Sequence, residues 1–369
     1  MKVLLFANTD WYLYNFRLPL AEELRRKGHR VILVSPPGSF ARRISDAGFE
    51  WIGFDFSRAG ANPFKELGTL VRLVRLYRTI QPDLVHHFTI KCVLYGSAAA
   101  RLCGIPKVIN AVTGLGHVFT TNSIRNRVLA QLVRAFYRLA LRKSHVVFQN
   151  PDDLTAFDAM GLVPKAQCHL IRGSGVNVER FRPIERALAN EPVRIVMVAR
   201  LLHEKGVVEF VEAAKLIASN QKNVEFILAG STDLGNPSSI DDSKLREWEQ
   251  LPFLSMHGHV EDVAQLLRSA HICVLPSYRE GTPRSLLEAA ASGLPLVATD
   301  VPGCREVVKH GSNGYLVPSK DTKSLAEAIQ LLIVDGKLRT VFGKKSRELA
   351  VAEFSEHTVL ERTIEVYSL

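Results

Sequence analysis

The sequence predicts an α/β protein built from two doubly wound parallel-sheet domains facing a cleft, and three observations predict it. Short β-branched runs alternate with segments of helical period, the pattern of successive βα units. That pattern breaks at LIRGSGVNVERFRPIERALANEP (170–192), rich in Gly, Pro and charge, and then starts again. A chain of 369 residues is long enough for two domains, each with its own core.

In chain order, the first half offers strands at 2–7, 30–35, 84–88, 107–112 and 145–149, and a short one carrying Leu170 and Ile171. Gly28, in RRKGHRV, stops the helix that precedes the second of these. After the break, strands are expected at 193–198, 224–229, 271–275 and 295–299. Sequential βα units imply parallel sheets covered on both faces. The expected divisions are a first domain over 1–176, ending in a glycine turn (Gly173, Gly175), a linker over 177–192, a second domain over 193–345 and an amphipathic helical tail over 346–369. Which domain carries the tail is left open. In such sheets ligands bind beyond the carboxyl ends of the strands.

Composition narrows the class. Cys92, Cys103, Cys168, Cys273 and Cys304 are odd in number and form no C-x-x-C, which suits reduced packing residues in a cytoplasmic protein. The start, MKVLLFAN, runs straight into a strand and does not read as a secretory leader. No apolar stretch approaches the ~20 residues of a membrane span. The net charge of +10 is unevenly placed. Residues 121–145 carry Arg125, Arg127, Arg134, Arg138, Arg142 and Lys143 with no acid, among apolar residues at helical spacing. Residues 64–80 repeat the theme with Arg72, Arg75 and Arg78. Each alone reads as a helix with one face on the core and a solvated basic face. Two in one half point to docking on an anionic bilayer surface at the inner face of the cell membrane. No RNA-binding or zinc-finger motif accompanies the charge, so nucleic acid is not an expected partner.

The chemistry concentrates in LPSYREGTPRSLLEAAASGLPLVATDVPGCRE (275–306), a strand, a glycine-containing turn and a helix, with Glu280 and Glu288 eight residues apart. Such a turn offers backbone N–H groups and a helix N-terminus to an anion. Carboxylates at its mouth and two turns further on suit hydroxyls beyond the phosphates. Phosphates with sugars on both sides describe a nucleotide-sugar. In VARLLHEKGVVEFVEA, Arg200 follows a strand and Lys205 stands just before Gly206 opens a helix, two cations suited to a diphosphate. The chain contains no D-x-D, so no metal is expected. Neither GLG (114–116) nor GSG (173–175) completes a dinucleotide fingerprint, so no redox cofactor is expected either.

Arg200, Glu204-Lys205-Gly206, Glu280-Gly281, Glu288-Ala289, Gly303 and Glu306 together resemble the retaining glycosyltransferases of family 4, which have the GT-B fold of two Rossmann-like domains. RFRP (180–183) and GSNGYLVP (311–318) extend the likeness to nearly the whole chain. NFRLPL (15–20), FSRAGANPF (56–64) and VTGLGHVF (112–119) are similar to bacterial transferases that extend polyprenyl-diphosphate-linked saccharides, including those that add N-acetylgalactosamine in N-glycan assembly. The resemblance implies that Arg200 and Lys205 hold the donor diphosphate, that Glu280 bonds the donor sugar and that Glu288 bonds the ribose. It further implies phosphate contacts from the turn Gly281-Thr282-Pro283 and the N–H groups through Leu286, with the Ser285 hydroxyl as an added donor. His259 and Val260, in HGHV, would cover the base.

The chain departs from the family in two places. NTDWYLYNFR (8–17) replaces a Gly-Gly pair, and there Arg17, with Asn15, offers a cation to an acceptor diphosphate. Thr113 stands where many members have a sugar-proximal His, with His117 nearby to substitute and Gly114 beside it on the acceptor side. Arg284 either meets acceptor phosphate or faces solvent. The expected partners are therefore a UDP-N-acetylhexosamine donor, an undecaprenyl-diphosphate-linked saccharide acceptor and an anionic membrane. A UDP-sugar 2-epimerase of the same architecture would need no lipid acceptor or basic face. A non-catalytic nucleotide-sugar-binding protein would not need Arg200, Lys205, Glu280 and Glu288 together. The loop GSTDLGNPSS (230–239) is a candidate contributor to donor selection.

Overall fold

The structure is a computed structural model and describes residues 1–56, 63–112, 135, 137–184, 192–233 and 236–368. Its first sheet has seven parallel strands, β1 (Lys2–Phe6), β2 (Arg30–Ser35), β3 (Glu50–Gly53), β4 (Leu84–Phe88), β5 (Lys107–Val112), β6 (His145–Phe148) and β7 (Cys168–Leu170), in the order β3-β2-β1-β4-β5-β6-β7. The second has six, β8 (Val193–Val198), β9 (Val224–Ala229), β10 (Leu254–Gly258), β11 (Ile272–Leu275), β12 (Leu296–Thr299) and β13 (Gly314–Val317), in the order β10-β9-β8-β11-β12-β13. Both sheets are doubly wound: the strand order reverses beside β1 in the first and beside β8 in the second. Each sheet therefore has a topological switch point, β1/β4 and β8/β11, where the connections leave in opposite directions and open a crevice at the carboxyl ends.

Three strands were not anticipated: β3, β10 and β13. All three lie at sheet edges. Central strands such as β11, with the sequence ICVL, are buried along their whole length and read as apolar runs. β3, with the sequence EWIG, is half-exposed, and β10 ends in exposed His257 and Gly258, so their apolar signal is diluted.

The chain divides into two compact units, Met1–Ser174 with Leu360–Leu369, and Gly175–Val359. The tail proposed over 346–369 is thus not a body of its own. Residues to 359 belong with the second unit, where Val176 exchanges backbone hydrogen bonds with Phe354 and Glu356 at 2.8 and 3.0 Å. The final helical turns return to the first unit: Tyr367 is 2% exposed, its hydroxyl lies 2.6 Å from His86 Nδ1, and its carbonyl accepts from Lys107 Nζ at 3.1 Å. All five cysteines are free.

The helix Pro63–Ile80 buries Thr69, Leu73, Tyr77 and Ile80 against the first sheet. Its outward face is not simply basic. Phe64, Leu67 and Val71 are 85%, 60% and 42% exposed, and exposed Arg75 and Arg78 continue the same stripe at helical spacing. Most of the second basic segment, 121–134 and 136, lies outside the described residues, as do Thr113, Gly114 and His117.

Candidate functional site

The elements that converge on the second switch point are the turns after β8 and β11. Beyond β8 the chain passes Arg200 and a short 3-10 turn, His203–Lys205, and reaches Gly206, which opens the helix Val207–Ala218 in the left-handed region at φ 74°. A Cβ at Gly206 would stand 2.1 Å from the Pro276 carbonyl oxygen, so only glycine lets this turn close on the β11 loop. On the other side, a Cβ at Gly303 would meet the Gly281 and Glu280 carbonyls at 2.3 and 2.7 Å. The loop carrying Glu280 is thus held between two glycine contacts.

Within that frame, Lys205 Nζ donates to Glu280 Oε1 at 2.5 Å, and both side chains are largely buried. The Ser277 hydroxyl donates to the same oxygen at 2.7 Å. Ser277 is fully buried, and its carbonyl accepts the Thr299 hydroxyl from β12. Glu280 Oε1 is therefore anchored twice, whereas Oε2 has no hydrogen-bond partner among the described residues. Tyr278 ties the two turns together: its N–H donates to the Glu204 carbonyl at 2.9 Å and its hydroxyl to Glu209 Oε1 at 2.7 Å. Cys304 lies beside the pair, fully buried. Burial first, and then the Glu280 carboxylate, push its thiol well up, so it is a neutral packing group.

Glu288 sits in the helix Arg284–Ala291 and is 9% exposed. Burial raises its pKa above the ordinary 4.5, opposed by the Arg284 guanidinium, whose Nε donates to Glu288 Oε1 at 2.7 Å. Arg284 is thus turned along its own helix to the carboxylate four residues on. Pro283 occupies the N-cap position and supplies no side-chain cap. At the other end, Arg347 Nη1 bonds the Ala291 carbonyl at 2.9 Å, and the Val178 and Phe181 carbonyls as well.

Arg200 stands apart from the Lys205–Glu280 pair. It is exposed and bonds Asp233 Oδ2 at 2.6 Å, in the loop after β9. That loop meets the end of β10 through the Gly230 N–H, which donates to the Gly258 carbonyl at 2.7 Å; His259 follows, exposed, while Val260 packs on the core. The structure therefore brings Lys205 and Glu280 into contact, pairs Glu288 with Arg284, and places Arg200 beyond β8 and the HGHV segment at the end of β10, with the loop after β9 meeting both. Ser277, Tyr278, Glu209, Asp233 and Thr299 were missed as supporting groups. Ser277 and Tyr278 stand between the strand and Glu280 in the very segment singled out, but nothing in the sequence says which way they point.

In the first unit, Arg17 ends a π-helical turn, Leu13–Arg17, that follows β1. It is 6% exposed; its Nη2 donates to the Tyr12 hydroxyl at 2.7 Å and its guanidinium lies 4.3 Å from the centre of the Phe88 ring. Asn15 bonds the Trp11 carbonyl at 2.9 Å.

Comparison with known proteins gives the family of the chain. A model of the Glycosyl transferase 4-like domain fits residues 2–150, and one of Glycosyl transferases group 1 fits residues 179–349. The chain belongs to the glycosyltransferases that join these two domains, and it is an enzyme of the hexosyltransferase kind with the GT-B fold. One relative, the N,N'-diacetylbacillosaminyl-diphospho-undecaprenol alpha-1,3-N-acetylgalactosaminyltransferase of Campylobacter jejuni, is 28% identical, with 100% of this chain and 98% of the relative covered. The UDP-Gal:alpha-D-GlcNAc-diphosphoundecaprenol alpha-1,3-galactosyltransferase of Escherichia coli is 27% identical over 79% of this chain and 76% of its own length. Among solved structures, Anabaena HepE in complex with UDP superimposes over 100% of both chains with a TM-score of 0.81 at 18% identity, a likeness of fold.

The raised pKa of Glu288 has a stability consequence. Its folded value lies above the ordinary 4.5, so its contribution is fully present below that pH and is lost as pH rises through the folded value. Glu288→Gln should therefore melt above the native protein at pH 7.5. The gap should close near pH 4. A variant that melts below the native protein at pH 7.5 would show that the ionised carboxylate stabilises the fold.

Proposed function

We propose that this protein is a retaining, metal-independent glycosyltransferase that moves an N-acetylhexosamine, with N-acetylgalactosamine favoured, from a UDP-sugar to an undecaprenyl-diphosphate-linked saccharide. The observation that carries the reading is the contact of Lys205 with Glu280 at the β8/β11 switch point. A cation suited to a leaving diphosphate there adjoins a carboxylate with one oxygen held and the other available to a hydroxyl. The acceptor class is supported by the two relatives, both named for diphospho-undecaprenol-linked sugars, and the UDP-sugar donor by the galactosyltransferase, named for UDP-Gal.

In this reading Arg200 and Lys205 neutralise the donor diphosphate as its charge grows. The turn Gly281-Thr282-Pro283 and the backbone N–H groups through Leu286, with the Ser285 hydroxyl, take the phosphate oxygens. Glu288 bonds the ribose hydroxyls, Glu280 Oε2 the sugar hydroxyls, and His259 and Val260 border the base. The acceptor hydroxyl attacks the anomeric carbon on the face the diphosphate leaves, and its proton passes to a departing phosphate oxygen. That route needs neither a protein carboxylate base nor a metal, in keeping with a sequence that lacks D-x-D. Arg17 and Asn15 serve the acceptor side, with Thr113, Gly114 and His117 proposed from sequence alone.

The test is mass spectrometry of the lipid extract from purified protein, EDTA, a short polyprenyl-diphosphate disaccharide and an equimolar panel of UDP-sugars. Gain of one N-acetylhexosamine is expected. Interconversion of a free UDP-sugar without lipid gain would instead establish the epimerase.

We also propose that the enzyme works at the inner face of the cell membrane and docks there through the outward stripe of the helix Pro63–Ile80. No described helix is long and apolar enough to cross a bilayer. The stripe combines exposed apolar side chains with Arg75 and Arg78, and the helix's one acid, Glu66, is turned inward to Lys91 at 2.8 Å. In flotation with vesicles containing phosphatidylglycerol, the triple substitution Phe64→Ser, Leu67→Ser, Val71→Ser should lower binding about tenfold or more. Unchanged flotation would remove this surface from the account.

A further inference from the structure

A cavity of about 840 Å³ lies within the second unit and takes no part in the donor site. His271, which leads into β11, and Pro295, which leads into β12, both line it. It therefore sits at the amino ends of these strands, the opposite edge of the sheet from the donor crevice.

Two glycines set its position. Gly293, at φ 73°, turns the chain from the helix Arg284–Ala291 towards β12, and a Cβ on Gly343 would stand 2.2 Å from the Gly293 carbonyl oxygen. The helix Gly336–Phe354 thus crosses this turn backbone to backbone, and the cavity opens beside the crossing. Pro183, Ile184, Pro295 and Val351 give it apolar walls.

The polar groups of the lining are short of partners. Ser292 is 2% exposed, and its hydroxyl has no hydrogen-bond partner among the described residues, which is costly for a buried group. Arg347 Nη1 donates to the carbonyl of Ala291, the residue before Ser292, so guanidinium and hydroxyl share one end of the cavity. Arg339 Nη1 donates to the Leu332 and Ile333 carbonyls at 2.7 and 2.8 Å. Neither guanidinium forms an ion pair among the described residues, and neither does exposed Lys344. Burial lowers the pKa of both guanidinium groups, and the carboxylates of Asp335 and Glu179 offset this in part. Glu348, the one carboxylate of the lining, lies 3.5 Å from Lys345. A helix C-terminus by itself disfavours an anion, but here Arg347 covers the Ala291 carbonyl.

We propose that this cavity binds an organic anion with an apolar body, its charged head met by Arg347, Lys344 and the Ser292 hydroxyl and its body lying against Pro183, Pro295 and Val351. The volume suits a small organic molecule and far exceeds what an inorganic ion fills. Charge without apolar walls would suit a bare phosphate; apolar walls without charge would suit a neutral hydrocarbon. This lining has both.

Calorimetry on the full chain, saturated with UDP so that the donor site is filled, tests the site with decanoate. Uptake of one decanoate per chain is expected, with decanol, the same body without the charge, bound at least about tenfold more weakly. Lys344→Glu should weaken decanoate about tenfold, and Ser292→Ala about three- to tenfold. No uptake of decanoate, decanol bound as tightly as decanoate, or an affinity unchanged by either substitution overturns the proposal. Decanoate held on the exposed stripe of the helix Pro63–Ile80 would give that last result. Should Ser292→Ala fail to fold, Lys344→Glu, at an exposed helix position, still decides it.

Discussion

One oxygen of Glu280 receives both the Lys205 ammonium and the Ser277 hydroxyl, and the geometry of the second unit follows from that shared contact. A largely buried carboxylate is costly unless it is hydrogen-bonded or paired, and here it is both. The pairing requires two turns from adjacent strands to close on each other. That closeness is what Gly206 and Gly303 permit and what the Tyr278 contacts to Glu204 and Glu209 reinforce. Because one oxygen is fixed, the other is presented in a set direction without the entropy of a free side chain.

The two units solve a related problem with the same topology. Each sheet reverses direction beside its first strand, and each places a cation from the following turn against the end of the fourth strand of that sheet in chain order: Arg17 against Phe88, and Lys205 against the loop after β11. They differ in how the charge is met. Lys205 has a carboxylate at 2.5 Å, whereas Arg17 has an aromatic ring and a tyrosine hydroxyl. The buried Glu288 sits between these cases, its charge offset by Arg284 yet still opposed by burial. Buried charged groups cost stability unless a partner meets the charge.

Much of this was legible in the sequence. The buried central strands announced themselves as apolar runs, and the residues of the Glu280 segment lie on the strand, turn and helix expected of them. Edge strands β3, β10 and β13 were not visible because half-exposed strands of four or five residues lose the apolar run. The site's supports were hidden for a different reason. Ser277 and Asp233 act through side-chain direction and through loops distant in sequence, and no local pattern records that Asp233 meets Arg200. The last turns of the chain were likewise ambiguous, since an amphipathic helix does not name the body it packs on, and Tyr367 reaches back 281 positions to His86.

The central claim is that Glu280 acts on the sugar and not on the nucleotide. The most direct measurement compares Glu280→Gln with the native enzyme for UDP affinity by calorimetry and for turnover in the lipid-transfer assay. The account predicts UDP affinity within about twofold of native and turnover lower by about 100-fold or more, the scale expected when an interaction made in the transition state is lost. Equal losses in UDP affinity and turnover, or unchanged turnover, would contradict it.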